Sequence, residues 1–190
     1  MSHQLFLIRH GKTTWSEAGR HTSRTEIALT AEGERGARRL APMLSRVDFT
    51  AVLVSPRDRA RRTCVLAKLG AQAVLEPDLT EWDYGDYEGL TSAQILRKRP
   101  GWNLFRDGCP GGETPAQVRR RADRLLGRLA KMEGDIALFS HGHFGRVLAV
   151  RWVRWPIAAG QRLLLDPASL SILGHERRNP AAPVLTLWNS

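Results

Sequence analysis

The chain has 190 residues, 42% of them apolar and 25% charged, with 29 lysines and arginines against 19 acidic residues and a formal net charge of +10. This length and balance fit a single domain over residues 1–190 whose core needs neither disulfides nor a structural metal, and they exclude disordered, collagen-like and fibrous chains. The positive excess points to anionic partners, whether nucleic acid, a membrane surface or phosphorylated metabolites, although arginines spread over solvated helix faces give the same total.

The first predicted element is a short apolar strand, Leu5–Ile8, followed at once by Arg9, His10 and Gly11. Ser2–Gln4 ahead of it does not open like a secretory leader. Lys12–Leu29 is polar and lacks periodicity, so it is expected to be a long loop of the kind that usually carries function. A helix is predicted over Ala31–Leu44 and a strand over Ala51–Val54. The next helix is predicted to take Pro56 as its first residue and to reach Leu69. Gln72–Leu75 reads as a weaker strand, and Leu79–Leu90 holds too many glycines and acids to be regular.

Thr91–Arg99 is expected to be helical up to Pro100-Gly101, and Pro110-Gly111-Gly112 breaks the chain again. Thr114, Pro115 and Gln117 have the spacing of a capping box. The helix they open carries Val118, Ala122, Leu125 and Leu129 on one face, and its arginines Arg119, Arg120, Arg121, Arg124 and Arg128 are expected mostly on solvated ones. Ile136–Phe139 is a third strand that ends in Ser140-His141-Gly142-His143, with a helix to about Val153 after it. Strands over Leu170–Leu173 and Val184–Trp188 close the chain, and Ile157–Asp166 has no assigned element. Cys64 and Cys109 form neither a disulfide framework nor a CxxC pair and are expected to be reduced, buried thiols of a cytoplasmic protein. No apolar run approaches the ~18 residues of a membrane span.

Strands alternating with helices imply an α/β three-layer sandwich, a mostly parallel central sheet flanked by helices. Ligands of such sheets bind beyond the carboxyl ends of the strands. Three predicted strands end there in Arg9-His10-Gly11, in Ser55 to Arg59, and in Ser140 to His143. A phosphate monoester is a dianion, and arginine neutralises it best because its planar fork stays charged and donates two hydrogen bonds. Arg9 and Arg59 can serve so, with His141 as a further donor. Packed among these groups, His10 is disfavoured in its protonated form and keeps the lone pair of a nucleophile. Glu81 is the candidate acid for the leaving alkoxide. Nearby arginines favour its ionised form and an incoming dianion the protonated one, so it is expected to carry the proton chiefly in the complex.

No metal or other cofactor is required. The HxH of His141 and His143 resembles metal hydrolases, but no Asp/His cluster supplies the other ligands. A P-loop and a strand-borne GxGxxG are both absent. A non-catalytic anion- or RNA-binding protein is the competing class, without the interleaved aromatic and basic residues of single-strand binders.

Taken together, these residues resemble the histidine phosphatase superfamily, the phosphoglycerate-mutase-like group. The resemblance rests on Arg9-His10-Gly11, Trp15, Gly19-Arg20, Leu29-Thr30, Ser55-Pro56, Arg59-Ala60, Thr63, Glu81, Gly85, Glu88-Gly89 and Ser140-His141-Gly142, in the family's order. It implies a phosphoglycerate-mutase-like fold, a phosphohistidine at His10, a phosphate pocket of Arg9, Arg59 and His141, and Glu81 as proton donor. Trp15-Ser16, the run Glu81 to Gly89, Trp102-Asn103, Arg106 to Cys109 and Gly112-Glu113-Thr114 resemble the sedoheptulose-1,7-bisphosphatase branch. That likeness implies substrate contacts at Thr22, Ser23, Tyr84 and Gly142. Ser23 stands where many members have glycine.

The expectation is a metal-independent phosphomonoesterase acting on a small phosphorylated metabolite, with a sugar bisphosphate as the best guess and neither nucleic acid nor membrane as partner. Arg97, Lys98, Arg99 and Arg106 are candidates for a second phosphate. Phosphoglycerate mutase-type transfer is the enzymatic alternative, disfavoured because only about 50 residues separate Gly89 from His141, too few for the closing insertion of the mutases.

Overall fold

A computed structural model describes residues 4–179 and 181–190; Ser2 and His3, part of the segment read as no leader, lie outside them. Six strands, β1 (Leu5–Arg9), β2 (Phe49–Val54), β3 (Ala73–Leu75), β4 (Asp135–Ser140), β5 (Leu170–His175) and β6 (Pro183–Leu187), form one sheet in the order β3-β2-β4-β1-β5-β6. The first four are mutually parallel, whereas β5 runs antiparallel to β1 and β6 antiparallel to β5. The sheet is therefore mixed, with its parallel part where the sequence expects it.

The helices are α1 (Thr14–Glu17), α2 (Ala31–Leu44), α3 (Asp58–Leu66), α4 (Ser92–Lys98), α5 (Leu104–Asp107), α6 (Pro115–Leu129) and α7 (Gly142–Trp152). Strand alternation sorts them into two layers. Leu5, Leu7, Ile136 and Leu138 face α6 and α7, in a core that includes Val118, Leu125, Phe144 and Leu148. Phe6, Ile8, Ala137 and Phe139 face the other way, onto Leu40 and Leu44 of α2 and Ala60 and Cys64 of α3. Both sides of β1 and β4 are buried, which is why these strands read as uninterrupted apolar runs.

Four local expectations need correction. The stretch Lys12–Leu29 contains α1, a single turn closed by a reciprocal capping box between Thr13 and Ser16. Pro56 precedes α3 instead of opening it, and the helix stops at Leu66 because Lys68 adopts a left-handed φ of 66°. The Leu69 and Lys68 amides then donate back to Cys64 O and Val65 O, a Schellman closure made without glycine and hence invisible to a search for one. Ile157–Arg162, unassigned from sequence, is a 3-10 segment.

The fourth correction concerns Arg121, which is buried, not solvated. Its guanidinium donates to the Glu113 carboxylate at 2.7 and 2.9 Å, to the carbonyls of Asp78 and Thr80 at 2.8 Å each, and to that of Glu81 at 3.3 Å. It thereby ties α6 to the irregular segment around Glu81, where no regular ladder satisfies those carbonyls. Cys64 and Cys109 are both free and buried, and burial pushes each thiol up to about 12. Among the described residues, no helix is long and apolar enough to cross a membrane.

Arg121→Met keeps the side chain's bulk but leaves Glu113 with the Asp83 amide alone and strands three carbonyls. The expected cost is about 3 kcal/mol, or a fall in Tm of roughly 6–12 °C for a chain of this size, read by thermal denaturation.

Candidate active site

The parallel register brings three chain segments level at one edge. Arg9 pairs with Ser140 and Val54 with Phe139, so His10, Ser55 and His141 emerge side by side. The His10 amide donates to Ser140 O and the Ser55 amide to Phe139 O, both at 3.0 Å. Just beyond, the chain turns where Gly11 meets Gly33 of α2: a Cβ on Gly33 would lie 2.2 Å from Lys12 O, so only glycine admits this approach.

His10 is buried, and its Nδ1 lies 2.8 Å from the carbonyl oxygen of Gly11. A carbonyl only accepts, so Nδ1 carries the hydrogen and Nε2 keeps a lone pair. Gly11 is held in turn, its amide donating to Thr63 Oγ1 at 3.0 Å while that hydroxyl donates to Arg59 O at 2.7 Å. Burial first, then the charges of Arg59 and Arg9, hold the imidazole well below its ordinary value. The His141 ring meets His10 edge-on with centroids 5.2 Å apart, and its Nε2 lies 2.8 Å from Ser55 Oγ. Its imidazole is held low by burial and by the charge of Arg59.

Arg59 is 1% exposed and spends its terminal nitrogens on the carbonyls of Thr22, Ser23 and Thr25, at 3.1–3.2 Å. Glu88 fixes the same loop, accepting from the Ser23 amide and hydroxyl and from the Thr25 amide. Burial pushes the Glu88 carboxyl up, but those hydrogen bonds outweigh it and hold the group below its ordinary value. Arg9 donates to Leu165 O and passes Gly142, where a Cβ would lie 3.2 Å from its guanidinium carbon. Among the described residues, the buried side-chain nitrogens without a partner are Arg9 Nε, Arg57 Nε, Arg59 Nε and His141 Nδ1.

Glu81 sits over the start of α7. Its Oε1 accepts from the amides of Trp82 and Phe144 at 2.9 and 2.8 Å, its Oε2 only from that of His143 at 3.1 Å. Oε2 is therefore the oxygen with capacity left for a reacting group. A cavity of about 260 Å³ opens here, with Arg9, His10, Thr22, Glu81, Tyr84 and Gly142 in its wall. Arg59 and His141 stand outside that wall; His141 is fully buried against the ring of His10.

The structure thus brings Arg9, His10, Glu81, Thr22, Tyr84 and Gly142 to one cavity and backs them with Arg59 and His141. It turns Ser23 away: the hydroxyl is spent on Glu88, so the residue found where glycine is common braces the loop and leaves the cavity's width alone. Arg97, Lys98, Arg99 and Arg106 line neither this cavity nor its neighbour, and Arg106 is engaged by Asp107. Besides Arg9, the cations that reach the cavity are Arg20 and Arg146. Sequence reasoning misses Arg146, His21 and the ring of His143, although the one-turn spacing of His143 and Arg146 on a helix that follows a strand end is a usable signal. Ser55 enters the sequence pattern only as part of a motif, and its bond to His141 comes from the fold. The HxH nitrogens diverge, His141 toward Ser55 and His143 toward Tyr84, and no group of three metal-binding side chains occurs among the described residues.

The model of the histidine phosphatase superfamily (branch 1) matches residues 5–190. An acid phosphatase of Mycobacterium tuberculosis is 44% identical over 92% of this chain and 88% of its own. The sedoheptulose 1,7-bisphosphatase of Saccharomyces cerevisiae is 36% identical over 77% of this chain and 66% of its own. A solved structure of an open-reading-frame product of Mycobacterium tuberculosis superposes with a TM-score of 0.92 at 41% identity, covering 98% of this chain and 97% of that one.

His10, His21, His141 and His143 all lie below the ordinary value of 6.5, each chiefly because it is buried. As pH falls through that value the unfolded chain takes up protons that the folded one refuses, so stability falls on acidification. Each histidine contributes a slope of about 1.4 kcal/mol per pH unit until its folded value is reached. Glu88 loses its contribution only at lower pH, below its ordinary 4.5. Urea midpoints measured from pH 8 to pH 5 should therefore decline steadily below about pH 6.5; a flat profile contradicts the neutral cluster.

Proposed function

The chain belongs to the histidine phosphatase superfamily and is a phosphatase, and from that premise we propose that it hydrolyses a small phosphorylated metabolite through a phosphohistidine on His10, without a metal. The observation that carries this reading is the set of buried nitrogens left unpartnered on the residues that neighbour His10: Arg9 Nε, Arg59 Nε and His141 Nδ1. Unsatisfied buried donors are costly, and a phosphoryl oxygen is an acceptor suited to nitrogens of this kind. His141 Nε2 lies 2.8 Å from Ser55 Oγ; we assign the hydroxyl as donor there, which leaves the hydrogen on Nδ1 for such an oxygen to accept.

The chemistry runs in two displacements. In the first, the His10 Nε2 lone pair attacks phosphorus and the ester P–O bond breaks. The proton on Glu81 Oε2 passes to the departing alkoxide, while Arg9 in the cavity wall, backed by Arg59 and His141, stabilises the charge on the equatorial oxygens. In the second, a water oxygen attacks the phosphohistidine as Glu81 takes its proton. The P–N bond breaks, inorganic phosphate leaves, and Glu81 is protonated again.

A second cavity of about 200 Å³ continues from the first, sharing His21, Ser92, His143 and Arg146 with it. Arg146 forms no ion pair among the described residues; its Nε donates to Gly160 O at 2.8 Å and its guanidinium lies 4.8 Å from the Phe105 ring centroid. That extra room and the two cations Arg20 and Arg146 favour a leaving group with a second anionic end, and so a bisphosphate over a lone ester. The unpaired buried thiols support a reducing, cytoplasmic setting.

The test is phosphate release in EDTA from sedoheptulose and fructose bisphosphates, 3-phosphoglycerate and an aryl phosphate. Wild type should release phosphate and His10→Ala should fall to background. Glu81→Gln should lose about 10²–10⁴ in kcat, more on alkyl than on aryl esters, whose leaving groups need no proton. Activity that survives in His10→Ala or disappears with EDTA overturns the mechanism. Isomer exchange stimulated by a bisphosphorylated primer, without phosphate release, replaces it with the mutase. Salt-sensitive RNA binding with no turnover replaces it with a binding protein.

A further inference from the structure

The two cavities meet at His21 and His143, whose rings are parallel to within 5° with centroids 5.7 Å apart. The hydrogen-bond partner of each ring dictates which nitrogen is protonated. Nδ1 of His21 lies 2.8 Å from Leu90 O, an obligate acceptor, so Nδ1 bears the hydrogen and Nε2 presents a lone pair. Nδ1 of His143 lies 2.6 Å from the Tyr84 hydroxyl, which is buried and has no other hydrogen-bond partner among the described residues. Were Nδ1 of His143 the donor, the Tyr84 hydrogen would be buried with nothing to receive it. Tyr84 therefore donates, and His143 presents Nε2–H.

We infer that His21 and His143 form a pair of opposite hydrogen-bond polarity, one acceptor and one donor, that selects a leaving group carrying hydroxyls close to the ester, the pattern of a sugar or polyol phosphate. The inference rests on the phosphatase reading and adds what the leaving group must carry.

The surroundings keep the pair neutral. His21 packs edge-on against Tyr84 and Trp102, and burial outweighs the opposing pull of Glu81 and Glu88. His143 meets Phe105, and burial together with the charge of Arg146 opposes its protonation. Two neutral groups of opposite polarity cannot attract an anion. They recognise a chain that both donates and accepts, and an ester without hydroxyls leaves both desolvated and unpaired.

The test uses a matched pair of substrates, glycerol 1-phosphate and n-propyl phosphate, which share a three-carbon alkyl leaving group and differ only in hydroxyls. Wild type should favour the glycerol ester by at least about 10-fold in kcat/KM, and His21→Phe and His143→Phe should each bring that ratio toward unity. The ratio is internal to each variant, so a general loss of activity does not mimic the effect. Long-range 1H–15N correlations on histidine-labelled wild type should show Nδ1–H for His21 and Nε2–H for His143, and Tyr84→Phe should release the second of these.

Like tautomers, a wild-type ratio near one, or a ratio unmoved by both substitutions overturns the inference. So does turnover of an aryl phosphate with neither alkyl ester touched, and in those cases the proposed function stands. Phosphate release from no ester at all removes the proposed function and this inference together.

Discussion

Two guanidinium groups, the buried Arg59 and the half-buried Arg9, stand beside an imidazole that they keep from becoming charged, and no carboxylate lies within ion-pair distance of Arg9 among the described residues. Much of the local structure follows from this constraint. The terminal nitrogens of Arg59 are satisfied by carbonyls, a contact to Glu26 at 3.9 Å being its sole approach to a carboxylate among those residues. Carbonyls can hold a cation in place without cancelling its charge. An acid hydrogen-bonded directly to either arginine would quench the field that a phosphoryl group needs and would restore basicity to His10.

The supporting residues extend this logic outward. Glu88 anchors the loop whose carbonyls hold Arg59, and Ser23 adds a hydroxyl to that anchor. Thr63 links the Arg59 carbonyl to the Gly11 amide, so Arg59 and the residue after His10 share one strut. Arg121 ties down the segment that carries Glu81, and the amides opening α7 hold its carboxylate. Charges therefore stand at graded distances from the reacting centre. Those nearest it are left unneutralised, and those farther out are paired, as Arg121 is with Glu113.

The opposite tautomers of His21 and His143 arise from the same economy of partners. Each ring has one nitrogen committed inside the protein, and a carbonyl and a phenol commit it in opposite senses. Neither assignment needs a charge, so in the proposed reading the leaving-group end works by hydrogen-bond polarity while the phosphate end works by field.

Much is legible from the chain because it depends on local chemistry. Apolar runs with polar ends place β1, β2 and β4, and parallel α/β logic puts Arg9, His10, Ser55 and His141 at one edge, where the register of the sheet holds them. α2 matches the predicted Ala31–Leu44, and α6, Pro115–Leu129, is readable from its capping box and apolar face. The burial of Arg121, the direction of Ser23, the absence of Arg97 to Arg99 and Arg106 from the cavity, and the arrival of Arg146 are not readable. Each depends on which distant backbone carbonyl or carboxylate lies within about 3 Å, a property of how separated segments pack. The amino-acid order thus determined which strand ends meet and hence the proposed nucleophile and its cations. Only the tertiary structure decided which donors stay unpartnered, which tautomer each histidine keeps, and therefore what the site can recognise.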